Sequence, residues 1–303
     1  MTEMTEPKTR CGFVALIGAP NAGKSTLMNQ LVGTKISIVT HKVQTTRSIV
    51  RGIAMHNDCQ IIFVDTPGIF NPRRKLDEVM VSTAWGSARD ADMSVCIIDA
   101  ERGVTEDVAA LVARMKELGG KVVLLLNKID RIPRDRLLAL TQEIHGIHAF
   151  DETFMVSALN GDGCGDFLDY LSTTLPQGPY MYPEDQASDL PMRMLAAEVT
   201  REKIYLRLHQ ELPYSSHVET EAWEERKDGS VKISQVIYVE RDSQKKIVIG
   251  KGGETIKAIS TAARQELKEL VEQPVHLFLF VKVRENWSDD PDRYREMGLE
   301  FPV

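Results

Sequence analysis

The first half of the chain alternates short apolar runs with stretches in which apolar residues recur at helical spacing. The runs are almost continuously apolar, which is typical of strands buried on both faces of a parallel sheet. They span residues 13–17, 49–54, 61–64, 95–98, 122–126 and 153–156. Helical patterns such as that of residues 106–118 lie between them, so the sequence predicts an α/β fold with a mainly parallel sheet.

The pattern changes at residues 177–190, where prolines and a glycine interrupt any helix or strand, and we interpret this stretch as a linker. Beyond it come an amphipathic helix at 195–208, two alternating segments joined by Asp228-Gly229, two helices and a strand at 275–281. This α-β-β-α-α-β order predicts a smaller α+β domain. The predicted divisions are a polar tail at 1–10, a first domain at 11–176, the linker at 177–190, a second domain at 191–286 and an acidic tail at 287–303.

Composition and charge argue against a membrane-spanning protein, a secreted protein and a protein that coats nucleic acid. The chain has 303 residues, of which 43% are hydrophobic, and no apolar stretch approaches the ~20 residues that a membrane-spanning helix needs. The polar start has no segment typical of a secretory signal, and the four cysteines form no C-x-x-C pair. We therefore expect a cytoplasmic protein with reduced cysteines. A net charge of −7 argues against a protein that coats nucleic acid without specificity.

The residues from Gly18 to Thr26 carry the strongest chemical signal. They match the phosphate-binding pattern G-x-x-x-x-G-K-[ST] and lie between an apolar run and a helical pattern, as that motif requires. Gly18 and Gly23 allow backbone N–H groups to approach an anion, and the following helix adds its own unpaired N–H groups. Lys24 would neutralise phosphate charge, and the hydroxyl of Ser25 would bind Mg²⁺.

Two further segments fit the phosphate end of such a site. Residues 40–47 are polar and include two adjacent threonines, as in a segment that becomes ordered around a γ-phosphate. The run 61–64 leads directly into Asp65-Thr66-Pro67-Gly68. An acid at the end of a buried strand is suited to hold Mg²⁺, and the N–H of Gly68 is suited to reach a γ-phosphate.

The ends of two later strands predict the choice of base. Residues 122–126 lead into Asn127-Lys128-Ile129-Asp130, and residues 153–156 lead into Ser157-Ala158-Leu159. The two oxygens of the Asp130 carboxylate would accept from N1–H and N2–H₂ of guanine, a donor pair that adenine lacks. Asn127 would brace the loops, the stem of Lys128 would lie over the base, and backbone N–H groups of 157–159 would donate to guanine O6.

Taken in order, these motifs resemble the G domain of translation-factor-type GTPases, and more narrowly the Era-like branch with asparagine in the phosphate loop. Asn21 is that asparagine, and Ile69 stands where Ras-like proteins have a water-positioning glutamine. The resemblance implies hydrolysis of GTP to GDP and phosphate, with Mg²⁺ held by Ser25, Thr46 and Asp65 and with a potassium ion near Asn21. It implies a catalytic set of Lys24, Thr46, Gly68 and Asn21. The full set of expected nucleotide contacts is Gly18, Ala19, Pro20, Asn21, Ala22, Gly23, Lys24, Ser25, Thr26, Asp65, Thr66, Pro67, Gly68, Asn127, Lys128, Asp130, Ser157, Ala158 and Leu159.

The second domain has its own glycine loop, which joins two predicted helices. The stretch Val248-Ile249-Gly250-Lys251-Gly252-Gly253-x-x-Ile256 resembles the G-x-x-G loop of a type II KH domain. The resemblance implies that Ile249, Gly250, Lys251, Gly252, Gly253 and Ile256 bind single-stranded RNA. Residues 241–284 carry more Lys and Arg than Asp and Glu, which suits phosphate contact within an acidic chain.

A G domain followed by such a KH domain is the arrangement of the bacterial Era family. That resemblance implies a GTP/GDP switch that binds the single-stranded 3′ end of small-subunit ribosomal RNA and assists assembly of the small ribosomal subunit. It also implies a monomer, with peripheral membrane contact as an open expectation. Two alternatives remain at this stage. One is an RNA-binding chaperone whose nucleotide site is mainly structural or regulatory, and the other is a different RNA-processing GTPase or RNA-modifying partner.

Overall fold

The computed structural model of the protein describes residues 9–42, 45–70, 72, 75–209, 212–285 and 299. The predicted tails at 1–10 and 287–303 fall almost entirely outside these residues. The chain forms two compact units. The first contains residues up to Ser37 and from Thr46 to Asp189, and the second contains Ile38–Thr45 and the residues from Leu190. Among the described residues, no helix is both long and apolar enough to cross a membrane.

The first unit is built around a six-stranded sheet in the order β2-β3-β1-β4-β5-β6. Strand β2 is antiparallel to β3, and all the other neighbours are parallel. The elements are β1 (Arg10–Gly18), α1 (Lys24–Val32), β2 (Val50–His56), β3 (Cys59–Asp65), α2 (Lys75–Asp90), β4 (Met93–Asp99), α3 (Glu106–Arg114), β5 (Lys121–Asn127), α4 (Arg134–His145), β6 (Glu152–Val156) and α5 (Cys164–Thr174). The mainly parallel α/β fold that the apolar runs predict is therefore confirmed.

A large apolar cluster covers one face of this sheet. Ile17 of β1 and Leu124 of β5 pack there with Trp85 of α2, Val112 of α3 and Leu140 of α4. Helices α1 and α5 pack near β2 and β3. Because helices cover both faces, the central strands read as continuous apolar runs rather than as alternating ones. Their carboxyl ends are left as the edge of the sheet at which polar side chains collect.

The stretch interpreted as a linker is hydrogen-bonded to the first unit. Gln177 forms a β-bridge with Arg10, and Ser188 forms one with Gly52. The side chain of Gln60 accepts from the N–H groups of Met181 and Tyr182 at 2.8 and 3.0 Å. Prolines therefore break regular structure here, while long-range bonds still fix the path of the backbone.

The second unit is a three-stranded sheet with three helices. Its elements are α6 (Met192–Arg207), β7 (Ser216–Glu225), β8 (Val231–Val239), α7 (Asp242–Ile249), α8 (Glu254–Val271) and β9 (Val275–Val283). Strand β8 is central, antiparallel to β7 and parallel to β9. A bulge between Thr220 and Ala222 shifts the register of β7 against β8 and interrupts the alternation of apolar and polar residues in β7. The predicted order of elements is confirmed.

Candidate nucleotide site and nucleic-acid interface

The loop between β1 and α1 needs its glycines for reasons internal to the protein. A Cβ atom on Gly18 would lie 2.5 Å from the carbonyl oxygen of Ile97, and one on Gly23 would lie 2.2 Å from Nδ2 of Asn127. Gly23 also has a φ of 97°, and it precedes α1 with no side-chain cap on the helix. The first turn of α1 therefore presents N–H groups without a capping side chain, which favours an anion at this position.

Lys24 is the cation of this loop, and it is almost fully buried. Its ammonium group donates to the carbonyl oxygens of Gly18 and Ala19 at 3.1 and 3.2 Å. Burial lowers the pKa of Lys24 to about 8, although the nearby Asp65 carboxylate acts in the opposite direction. A phosphate group would supply the missing negative charge, so the site is electrostatically suited to bind one.

Three predicted metal ligands converge at the start of α1. Asp65 Oδ2 accepts from Ser25 Oγ at 2.7 Å and from Thr46 Oγ1 at 3.3 Å, and the two hydroxyl oxygens lie 3.0 Å apart. Asp65 is fully buried, which raises the pKa of its carboxyl group against the lowering effect of Lys24. Its second oxygen, Oδ1, is buried without a hydrogen-bond partner among the described residues. Hydroxyl and carboxylate oxygens in this arrangement fit Mg²⁺, which prefers oxygen ligands and retains bound water.

The segment after Asp65 is tied to the phosphate loop. Thr66 Oγ1 donates to the carbonyl oxygen of Leu16 at 2.8 Å, and the N–H of Ile69 donates to the carbonyl oxygen of Gly18 at 3.0 Å. A Cβ atom on Gly68 would lie 3.0 Å from Pro20. The glycine therefore permits close approach of the two segments, and Thr66 has a structural use that the sequence did not indicate.

Asn127 braces three segments at the other end of the site. Its Nδ2 donates to the carbonyl oxygen of Ala22 at 2.8 Å, and its Oδ1 accepts from the N–H groups of Lys128 and Ala158 at 2.8 and 3.0 Å. This is the role expected from the sequence, with residues up to 105 positions apart along the chain. The contact also engages the N–H of Ala158, one of the backbone donors expected to reach a base.

Asp130 lies beside Ser157, the first residue of the Ser157-Ala158-Leu159 segment. Ser157 Oγ donates to Asp130 Oδ1 at 2.6 Å, which orients the carboxylate that would read guanine. The αL conformation of Lys128, with φ 66°, marks the turn between the strand and this acid. Leu159, by contrast, is 70% exposed, so its side chain is not part of a preformed pocket wall.

The G-x-x-G loop of the second unit joins α7 to α8. A Cβ atom on Gly250 would lie 2.2 Å from Thr255 Oγ1. Gly252 and Gly253 have φ values of 61° and 81°, yet nothing lies within 4 Å of a Cβ added to either. Lys251 is exposed, and Ile249 and Ile256 are partly buried at the ends of the flanking helices. The loop therefore offers open backbone and a solvent-facing cation, as contact with a phosphate chain requires.

Comparison with known proteins finds a family match in each of the two units. Residues 13–128 match a family described as 50S ribosome-binding GTPase, and residues 211–288 match the KH domain family. The GTPase Era of Rhizobium meliloti is 68% identical over 97% of this chain and 94% of its own length. The GTPase Era of Brucella melitensis is 66% identical over 100% of this chain and 96% of its own length.

The chain belongs to the Era family of GTPases. Two solved Era structures each match with a TM-score of 0.90 and 38% identity over 96% of this chain and 99% of the other. One is a variant of Aquifex aeolicus Era bound to GDP.AlF4-, and the other is Era in complex with MgGDPNP and nucleotides 1506-1542 of 16S ribosomal RNA. Membership confirms the predicted GTPase activity, the P-loop G domain and the KH domain that follows it.

Two residues that contact predicted site residues were not found from the sequence. Ser37 Oγ donates to the Asp65 carboxylate at 2.9 Å. Asp99, at the end of β4, accepts from the ammonium group of Lys128 at 2.5 Å, and β4 is in register with β5 so that Asp99 lies opposite Asn127. The position of Asp99 at a strand end was a usable signal. Ser37 had none, because it lies in a polar loop among several hydroxyl residues.

Proposed function

We propose that this protein is a GTP-dependent switch that binds the 3′ end of small-subunit ribosomal RNA and assists assembly of the small ribosomal subunit. The observation that carries the proposal is the presence, on one chain, of a preformed guanine-nucleotide site and an open KH loop. The Era complex with MgGDPNP and 16S ribosomal RNA supports it, because that structure resembles this chain over both domains. The 50S description applies to a match within the G domain alone, so we favour the small subunit.

Different residues of the site bind the phosphates, the Mg²⁺ ion and the base of GTP. Lys24 and the N–H groups at the start of α1 neutralise the β- and γ-phosphates, and Ser25, Thr46 and Asp65 hold Mg²⁺. When bound, Mg²⁺ offsets negative charge on the phosphate oxygens. Gly68 lies against Pro20 of the phosphate loop, where its N–H would report the presence of the γ-phosphate. Asp130, oriented by Ser157, selects guanine.

The Asp130→Asn variant tests the assigned nucleotide. The amide would present a donor where guanine also donates, so GTP affinity should fall by up to ~10⁴-fold. Xanthine nucleotide, which has an acceptor at that position, should recover part of the binding. Asp135→Asn in the first turn of α4 removes an exposed carboxylate of the same unit and serves as the control. Undiminished GTP affinity in Asp130→Asn would contradict the assignment.

Potassium is the proposed source of additional positive charge during hydrolysis. Ile69 cannot orient water with its side chain, and Asn21 lies in the phosphate loop with a φ of 65°. Hydrolysis should therefore be faster in KCl than in NaCl at equal ionic strength, and Asn21→Ala should reduce that difference more than it reduces GTP binding. Equal rates in the two salts would refute the role of potassium.

Coupling between nucleotide and RNA separates a switch from an RNA chaperone with a structural nucleotide site. In a switch, a non-hydrolysable GTP analogue should tighten RNA binding relative to GDP, and a typical coupling corresponds to a ~5–150-fold change. RNA titrations with each nucleotide at fixed salt measure this difference. Identical RNA affinities, together with an absence of multiple-turnover hydrolysis, would favour the chaperone.

The proposal places the protein in the cytoplasm, where GTP and ribosomal RNA are found, and as a monomer. Sedimentation at several concentrations tests the oligomeric state, since a dimer would show a rising weight-average mass. Peripheral contact with the inner face of the membrane stays a prediction from the resemblance. Co-flotation with anionic vesicles, with and without GTP analogue, tests it directly.

A further inference from the structure

Asp99 is a buried acid at the carboxyl end of β4, with a side chain that is 7% exposed. Strands β4 and β5 are parallel neighbours, and Asp99 lies opposite Asn127 in their register. The N–H of Ala100 donates to the carbonyl oxygen of Asn127 at 2.9 Å. Asp99 is therefore held beside the segment 127–130, for which we propose a role in binding guanine.

The turn after β4 fixes the direction of the Asp99 carboxylate. Its Oδ1 accepts from the N–H of Glu101 at 3.0 Å. The carbonyl oxygen of Asp99 accepts from the N–H groups of Arg102 and Gly103 at 3.1 and 3.0 Å. Because the backbone engages one carboxylate oxygen, the other oxygen, Oδ2, is directed toward a side-chain partner.

The side-chain partner of Asp99 is Lys128. The ammonium group of Lys128 donates to Asp99 Oδ2 at 2.5 Å. Arg102 is the other cation near this oxygen, but its Nε lies 3.9 Å away and its side chain is 63% exposed. A lysine has a flexible four-carbon stem, so a bond at its far end restricts the path that the stem can take.

A second ion pair near this turn gives a comparison. The guanidinium group of Arg131 lies 3.3 Å from Glu101 Oε2, and both side chains are about half exposed. An exposed pair of this kind is screened by solvent and contributes little to stability. The Asp99 carboxylate is buried, and a buried charge is unfavourable unless a partner compensates it. The buried pair therefore constrains its lysine more tightly than the exposed pair constrains its arginine.

We propose that Asp99 is a positioning residue that holds the stem of Lys128 in place for the guanine base before the nucleotide binds. This inference rests on the proposed role of segment 127–130 in guanine binding. Without the ion pair, the stem of Lys128 would sample several rotamers, and nucleotide binding would have to order it. Because GTP and GDP share the base, the loss should be the same for both nucleotides.

Asp99→Asn is the central variant. The amide keeps an oxygen acceptor for the Glu101 N–H, but it loses the charge that holds the Lys128 ammonium group. The affinities for GDPNP and for GDP are measured on the full-length protein, with thermal melts to establish folding. Both affinities should fall by about 3–10-fold. Glu101→Gln, at the exposed ion pair, is the matched control and should leave both affinities unchanged.

The kinetics of hydrolysis distinguish a positioning role at the base from general damage to the site. In Asp99→Asn, the KM for GTP should rise while kcat stays at the wild-type value, because the lost interaction contributes equally to the ground state and the transition state. A fall in kcat with an unchanged KM would contradict the proposed role.

Lys128→Met keeps the test decisive if Asp99→Asn folds poorly. Methionine retains an unbranched apolar stem but offers no ammonium group to Asp99, so both affinities should again fall by about 3–10-fold. If Asp99 acts through Lys128, then Asp99→Asn should cause no further loss in the Lys128→Met background. Full additivity of the two losses would refute the positioning role.

Asp130→Asn separates this inference from the assignment on which it rests. If it lowers GTP affinity while folded Asp99→Asn and Lys128→Met bind both nucleotides as the wild type does, guanine recognition stands and the positioning role of Asp99 is wrong. If Asp130→Asn leaves GTP affinity unchanged, the assignment of the base site fails, and the role of Asp99 fails with it.

Discussion

The two glycine loops of this protein look alike in sequence but differ in what their glycines do. In the phosphate loop, added Cβ atoms at Gly18 and Gly23 would lie 2.5 and 2.2 Å from other protein atoms. In the KH loop, nothing lies within 4 Å of such an atom at Gly252 or Gly253. The cations differ in the same way, since Lys24 is buried and Lys251 is exposed.

The difference indicates two ways to bind a phosphate. The phosphate loop is assembled by the protein before the ligand arrives, because Asn127 and the carbonyl oxygens around Lys24 already hold it. In the KH loop, the N–H of Gly253 donates to the carbonyl oxygen of Gly250 at 3.1 Å, and the space beside Gly252 and Gly253 is open to a chain of nucleotides. A substitution in the phosphate loop should therefore weaken binding by disturbing contacts within the protein. A substitution in the KH loop should weaken binding by disturbing contacts with RNA.

The largest expected effect is that of Gly23→Ala. The new Cβ atom would displace Nδ2 of Asn127 and would force a residue with a side chain to a φ of 97°. Left-handed strain costs ~1–2 kcal/mol, and a buried hydrogen bond left unmade costs ~1–3 kcal/mol. Nucleotide affinity should therefore fall by roughly 30-fold or more. Gly33→Ala, at φ 81° with open space around it, carries the strain without the clash and should bind nucleotide nearly as the wild type does.

The next effect is that of Gly253→Asp on RNA binding. It places a side chain and a negative charge where backbone must meet phosphate, and the loss of one hydrogen bond to a charged group corresponds to roughly 10–100-fold. Gly229→Asp has a similar φ, 77°, and equally open surroundings in the turn between β7 and β8, so it controls for strain and charge. If both variants bind RNA equally well, the KH loop does not contact the RNA backbone.

A smaller effect is expected when Lys251 is changed to Gln. Because this cation is exposed, its contribution should be one screened phosphate contact rather than a part of the fold. The slope of log affinity against log salt should become shallower by ~0.7 for a single strand. An unchanged slope, measured by RNA titration from low to moderate salt, would remove Lys251 from the interface.

The smallest effect concerns the proton on Lys24. With a pKa of about 8 in the free protein, a substantial part of Lys24 is neutral at pH 8. Bound phosphate favours the ammonium form and raises the pKa, so binding should take up a fraction of a proton at pH 8 and less at pH 6.5. Affinity should accordingly decrease as the pH rises through 8. Calorimetry in two buffers of different ionisation enthalpy measures the uptake, and buffer-independent heats at pH 8 would contradict it.

The sequence by itself determined the order of the elements and the fold class, and it predicted the residues of both candidate sites. A buried parallel strand must be apolar throughout, and the residues just after it meet at one edge of the sheet. For this reason Asp65, Asn127 and Ser157 could be placed together from local patterns alone. The Asp228-Gly229 pattern correctly predicted a turn between β7 and β8. The connection runs from Arg226 to Ser230, and the Ser230 N–H donates to the Asp228 side chain.

Tertiary structure decided what local patterns cannot contain. Ser37 reaches Asp65, Asp99 reaches Lys128 and Gln60 holds residues 181–182 only because the fold brings distant segments together. Local patterns contain no signal for these contacts, because the paired residues lie 28, 29 and 121 positions apart along the chain.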